Sequence, residues 1–234
     1  MKSCQNIHII GTSHISPESI ALVTQYINNN KPDIIAIELD KQRLKALFSH
    51  NKPSITDIKH LGLKGFFFNL LGHYIEKKLG KLVGTSPGDE MKAAVRLARN
   101  YKLKLALIDQ PIEITLKKLS KITFKEKLNF FIDIIKSPFS QPIIKPFDLK
   151  KVPSEKAINQ IILYIRKHYP TIHEVLLEER NKIMAKNLYT LTHNHPNAKI
   201  LAIVGAAHKN AIFNILRNKI HHSNNSSINN NLQL

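Results

Sequence analysis

Four short apolar runs punctuate a chain whose remaining apolar positions recur at helical spacing. Asn6–Ile10, Asp33–Ile37, Leu103–Ile108 and Lys199–Val204 have the length and β-branched content of buried strands. Between them, Ile20, Val23 and Ile27 mark one helix face, and Met91, Ala94, Val95 and Ala98 mark another. A third and longer stripe joins Ile172, Val175, Leu176, Ile183, Met184, Leu188 and Leu191. Strands alternating with helices predict an α/β fold with a mainly parallel sheet of at least four strands flanked by helices. The first strand–helix–strand unit implies a parallel pair joined by a right-handed crossover.

Boundary residues agree with this pattern. Ser16-Pro17-Glu18 reads as an N-cap, a first-turn proline and an acidic residue that favours the helix dipole. Asp40 is placed to cap a short helix through Phe48, and Ser154 one through Lys167. Ser86-Pro87-Gly88-Asp89 has the form of a capping box with Asp in place of Glu. Pro111 opens a helix, Phe124 to Ile135 is amphipathic, Pro170 starts a long helix to about His193, and Asn210 to Ile220 forms the last one. Residues 51–84 are apolar and basic, with Gly62, Gly65, Gly72, Gly80 and Gly84 interrupting them. A packing helix from Phe66 to Leu82 is expected there, with a lid or a membrane-surface element as the rival. Pro138, Pro142, Pro146 and Pro153 make 137–153 an irregular connection. Residues 1–220 are expected to form a single domain, and the Ser/Asn-rich residues 221–234 a disordered tail.

Composition narrows the class. A chain of 234 residues with 43% hydrophobic content can bury one full core. The net charge of +18 points to nucleic acid or an anionic surface as partners. The basic residues are spread, however, without an Arg-rich block or an aromatic-interleaved patch, so nucleic acid is not expected as the primary partner. The single cysteine, Cys4, excludes an internal disulfide and suits a reducing cytoplasm, where the protein is expected. No signal peptide is expected. The apolar stretch from Leu61 to Leu82 is broken by Lys64, His73, Glu76, Lys77 and Lys78, so no membrane span is expected either, and peripheral membrane contact stays open. Nothing in the sequence indicates an oligomeric state.

The chemistry concentrates at strand ends. Ile9-Ile10-Gly11-Thr12-Ser13-His14 is echoed by Ile203-Val204-Gly205-Ala206-Ala207-His208. Each is a strand, a Gly that permits a tight turn and close backbone approach, two small residues and a His. A single His after a strand is ordinarily a cap or a core residue; the duplication favours a site. Glu38 and Asp109 follow the second and third strands. In open α/β sheets the carboxyl edge is where ligands bind. His14, His208 and Glu38 suit a divalent transition metal with an open position, with Mn, Co or Zn as candidates. Asp109 competes as a helix N-cap. Glu90, Glu179 and Arg180 fall on otherwise apolar helix stripes, which is costly unless they are paired or functional. One reading is a buried structural ion pair. The other makes Glu90 a general base or further ligand beside Glu38, and Arg180 a clamp on a substrate carboxylate or oxyanion. Arg43, Asp109 and Glu179 join Arg180 as candidate substrate-binding residues, with a surface role the rival for Arg43.

These pieces resemble the TraB/PrgY (pheromone shutdown) family, within the wider group of Tiki proteases and erythromycin-esterase/ChaN-like proteins. The matching residues are Gly11-Thr12-Ser13-His14, Glu38-Leu39-Asp40 with Arg43, Gly88-Asp89-Glu90-Met91, Leu107-Ile108-Asp109, Glu179-Arg180 with Met184-Ala185, and Gly205-Ala206-Ala207-His208. They reach from near the start to about Arg217. The resemblance implies metal-dependent proteolysis by two G-x-x-H histidines and a glutamate, here His14, His208 and either Glu38 or Glu90. It also implies inactivation or sequestration of a peptide. Two departures are visible: Asp109-Gln110-Pro111 where the family commonly has Asp-Arg-Asp, and Glu179-Arg180-Asn181 where it tends to Glu-Arg-Asp. The expected function is metal-dependent hydrolysis of a peptide. The alternative is a non-catalytic protein that holds a peptide or porphyrin-like ligand in the same cleft.

Overall fold

The computed structural model describes residues 2–4, 6–14, 16–48, 86, 88–136 and 151–231. The expected helix of 51–84 and most of the proline-rich connection lie outside them. Five strands form one sheet: β1 (Lys2–Cys4), β2 (Ile7–Thr12), β3 (Ile34–Ile37), β4 (Lys104–Leu107) and β5 (Ile200–Gly205), in the order β1-β2-β5-β3-β4. β2, β5, β3 and β4 are parallel, and the short β1 adds an antiparallel edge that the sequence pattern did not reveal. The expected pair, β2 and β3, is parallel but not adjacent, because β5 lies between them. Every residue of β5 and of β3 is buried, as suits interior strands covered on both faces.

Strand parity divides the core in two. Ile7, Ile9, Ile34, Ala36, Ala202 and Val204 face helices α8 (Glu179–Asn194) and α9 (Ala206–Asn231), where they meet Met184, Leu188, Ile212 and Leu216. Ile10, Ile35, Ile37, Leu201 and Ile203 face α1 (Pro17–Asn30) and α3 (Asp89–Asn100), against Val23, Ile27, Met91, Ala94 and Val95. Both sheet faces are covered, which is why the strands read as continuous apolar runs rather than alternating ones.

The caps form mostly as expected. Asp40 Oδ1 accepts from the backbone N–H of Gln42 (2.7 Å) and Arg43 (3.0 Å) and so starts α2 (Lys41–Phe48). Asp89 Oδ2 reaches back to the Ser86 N–H, and Ser154 Oγ accepts from Ala157. Ser16 stands at the N-cap of α1 in extended conformation, but its side chain makes no capping bond. Gly88 precedes α3 at φ +82°, a conformation that suits Gly. The backbone helix of α9 runs on through the segment where disorder is expected, and Ile220 is its last described buried side chain.

A third apolar cluster gathers Ile122, Tyr169 and Ile172 with Phe130, Tyr164 and Ile165. It joins α4 (Ile112–Lys121), α5 (Phe124–Lys136), α6 (Glu155–His168) and α7 (Pro170–His173). Asp133 ties them together by accepting from Tyr164 Oη (2.9 Å) and Tyr169 Oη (2.5 Å). From α7 the chain passes through a π-helical turn, Glu174–Glu178, directly into α8.

Leu188 is fully buried between α8 and the sheet, whereas Leu22 on α1 is 38% exposed. Leu188→Ala is expected to cost about 2–5 kcal/mol, from lost transfer energy plus a cavity. Leu22→Ala should leave the unfolding free energy read from urea titration within about 0.5 kcal/mol of wild type. Equal midpoints for the two variants would contradict this packing.

Candidate active site at the strand carboxyl ends

The register brings the two G-x-x-H elements side by side. Gly11 pairs with Val204 and Thr12 with Gly205 across β2 and β5. A Cβ on Gly11 would come within 3.0 Å of Ala206 Cα, so Gly there lets the strand pass close to the start of α9. A Cβ on Gly205 would stand 3.3 Å from both Glu38 Oε2 and His14 Nε2, and 3.5 Å from His208 Cδ2. Gly205 is therefore the floor around which three candidate residues gather. His14 lies in the β2–α1 turn, His208 in the first turn of α9, and Glu38 directly after β3.

Glu38 is 3% exposed and fully engaged. Its Oε2 accepts from the Gly205 N–H at 2.5 Å, its Oε1 accepts a short bond from Arg180 Nη2, and His208 Nε2 is 3.3 Å from Oε1. Burial on its own would raise this carboxyl. His208, Arg180, His14 and the Gly205 N–H outweigh burial and hold it well below the usual carboxylate range.

Arg180 is shared. Its Nη2 also donates to Asp109 Oδ2 (2.6 Å), its Nε to both Asp109 oxygens (3.3 and 3.2 Å), and its Nη1 to the Leu176 carbonyl (3.3 Å). Asp109 accepts in turn from Arg43 Nη2, and Arg43 Nε donates to Asp40 Oδ2 at 2.9 Å. Charges thus alternate from Asp40 through Arg43, Asp109 and Arg180 to Glu38. Asp109 is not a helix cap, since α4 begins at Ile112; it accepts the Gln110 N–H and links the two arginines.

Each histidine is held at Nδ1. His14 Nδ1 donates to Glu90 Oε1 at 2.6 Å, and His208 Nδ1 to Asn181 Oδ1 at 2.7 Å. Burial pushes the His208 imidazole down, beyond the opposing pull of Glu38. With its Nδ1 engaged by Asn181, His208 presents Nε2 to Glu38 Oε1 at 3.3 Å. Among the described residues, no three His, Cys, Asp or Glu side chains form a ready-made metal cluster.

Glu90 and Arg180, one of the expected structural pairings, are not partners. Glu90 backs His14, and Arg180 holds Glu38 and Asp109. Glu90 is 1% exposed and is not among the residues lining the cavity that opens onto the site. Glu179 stays outside the cluster, with Oε1 bonded to Lys118 Nζ at 2.6 Å on the surface side of α8. The cavity, of about 460 Å³, is lined by His14, Glu38, Arg43, Arg180 and His208 and also by aliphatic side chains of α6 and the π-helical turn. His173, which is buried, also lines it.

Residues 2–219 match the TraB/PrgY/gumN family. The chain belongs to this family. It is 36% identical over 217 residues to an uncharacterized protein of Methanocaldococcus jannaschii, covering 91% of this chain and 53% of that protein. TraB domain-containing proteins of mouse and human are each 22% identical to it, over 191 and 189 residues, covering 75% of this chain and 50% of each relative. The chain spans about half the length of these relatives. The two departures from the family pattern have clear places in the structure. Gln110 is buried and donates to Thr115 Oγ1 at 2.7 Å, and Asn181 supplies the acceptor for His208. By sequence Asn181 is a lost charge; its function as a partner was hidden because His208 lies 27 residues away. The Gly205 N–H and His173 carry no sequence signal of their own.

The pKa directions fix the pH response. In chelating buffer, the unfolded chain takes up a proton at His208 near the ordinary value of 6.5, whereas the folded chain resists it. Below about pH 5 the Glu38 carboxyl repeats this, since its folded pKa lies below the ordinary 4.5. Stability should therefore fall on acidification, by up to about 1.4 kcal/mol per pH unit for each such group. His208→Gln should flatten the slope between pH 7 and pH 5.5. Identical slopes in wild type and variant would remove His208 as the cause.

Proposed function

We propose that this cleft is a metal-assisted hydrolase site acting on peptides. The observation that carries the reading is the paired arrangement of His14 and His208. Each donates from Nδ1 to a fixed acceptor, and each turns its other nitrogen towards the Glu38–Gly205 corner. Metal-binding histidines are held in this way, with a hydrogen-bonded partner fixing the tautomer. The donor set also fits a cation electrostatically. Asp40, Glu38, Glu90 and Asp109 face only two guanidinium groups among the described members of the cluster, so the site carries surplus negative charge within a strongly basic chain.

In this reading His14, His208 and Glu38 would hold the ion. A bound divalent metal acidifies water and polarises a carbonyl. The chain's own residues do the rest. Glu90 orients His14 through Nδ1, and Asn181 orients His208. Arg180, with an acceptor at each nitrogen, holds Glu38 and Asp109 in place rather than meeting substrate. Arg43 is 27% exposed in its side chain and lines the cavity, so it is the cation offered to a substrate carbonyl or carboxylate.

A binding-only role is the second reading. What favours it is that Glu38 already has its oxygens occupied by Arg180 and Gly205, so that a metal must share Oε1. Such a protein would retain a peptide or porphyrin-like ligand without turnover.

Protein purified without a metal-affinity tag should contain about one transition-metal ion per chain. The combined change His14→Ala and His208→Ala should remove it and leave the far-ultraviolet spectrum unchanged. Gly205→Ala should lower metal content and turnover together, because its methyl group crowds Glu38 and His14. Unchanged metal stoichiometry in the double variant would defeat the metal reading. A peptide library recovered intact but retained would favour the binder.

A further inference from the structure

The aliphatic part of the cavity lining has a chemistry of its own. Ile158, Ile161, Ile162 and Ile165 line it from α6 at i, i+3, i+4 and i+7 spacing, and so form one stripe. Leu177 of the π-helical turn also lines it. Ile158 is buried and Ile165 packs into the third core cluster. Ile161, Ile162 and Leu177 are half-buried and line the cavity, but they belong to none of the three core clusters among the described residues. Aliphatic surface left over in this way, in one cavity with a few convergent polar groups, is the usual build of a specificity pocket.

We infer that Ile161, Ile162 and Leu177 form a subsite for a bulky aliphatic or aromatic side chain of the substrate peptide, next to the bond presented to His14, Glu38 and His208. The inference rests on the peptide reading of the site. Ile158, Ile161, Ile162, Ile165 and Leu177 bring no carboxylate or guanidinium group to the lining; the charged groups that line the cavity, Glu38, Arg43 and Arg180, are already paired with one another or with Asp40 and Asp109. The stripe from Ile158 to Ile165 is about 10 Å long at helical rise. An extended peptide covers that length with about three residues. Burying one large apolar side chain against it is worth about 1.5–3 kcal/mol, or about 10- to 100-fold in affinity.

The test uses fluorescein-labelled pentapeptides Gly-Gly-X-Gly-Gly, with X as Leu, Phe, Ser, Lys or Glu, and the full chain. Fluorescence anisotropy reads binding without turnover. The Leu and Phe peptides should bind at least about 10-fold tighter than the Ser and Glu peptides. Ile162→Ala and Leu177→Ala should erase most of that preference. Leu163→Ala, on the exposed side of α6 at 62% exposure, should preserve it. Equal affinity across the series, or a preference for Lys or Glu in wild type, would overturn the subsite. Cleavage of the same peptides, followed by mass spectrometry, tests the hydrolase reading separately. A protein that prefers Leu and Phe yet cleaves nothing would keep the subsite and refute the hydrolase.

Discussion

A charged carboxylate buried at the centre of the carboxyl edge sets the terms for everything around it. Left alone, Glu38 would be expensive to bury and would take up a proton. It stays ionised because a guanidinium, a backbone N–H and two imidazoles surround it. Each of those partners comes from a different element. Gly205 ends β5, His208 opens α9, Arg180 belongs to α8, and His14 follows β2. Satisfying one carboxylate therefore pins three strands and two helices to a common point, and Asp109 and Arg43 extend the hold to β4 and α2. The same groups that make burial tolerable are the ones available for chemistry.

The π-helical turn has a part in this. Wide turns of this kind occur mostly as single insertions and often at functional sites. Here the insertion lies immediately before Glu179–Arg180. It separates the helical segment that carries His173 into the cavity from the segment that packs Met184 and Leu188 on the sheet. Arg180, two residues past its end, returns a hydrogen bond to the Leu176 carbonyl inside the wide turn. Packing on the sheet and lining of the cavity are thus served by one continuous helical run with two different windings.

Much of this was legible in the sequence, for reasons that differ by residue. The four parallel strands showed because burial on both faces leaves unbroken apolar runs, as in Ile34–Ile37 and Ile200–Gly205. The convergence of His14, Glu38, Asp109 and His208 followed from their common position just past strand ends. Strand order did not follow: nothing local to Ile200–Gly205 places it between β2 and β3. β1 was missed because three residues show no periodicity. Arg180 and Glu90 stood out as charges on apolar stripes, but their partners are 142 and 76 residues away, and sequence spacing does not encode such pairings. Glu179 stood out for the same reason, and its partner is a surface lysine instead.

The two histidine elements look like copies of each other, yet they are held by chemically different hands. His14 leans on a carboxylate, Glu90, whereas His208 leans on a neutral amide, Asn181. A carboxylate partner feeds electron density into the ring and strengthens the opposite nitrogen as a donor; an amide does so far less. His208 also sits in the opening turn of α9, where the helix dipole disfavours positive charge. The pair is therefore unlike in its supports: one imidazole stands exposed in front of a carboxylate, and the other is shielded against the floor in front of an amide. Two copies of one sequence element have been set into surroundings of opposite character on either side of Gly205.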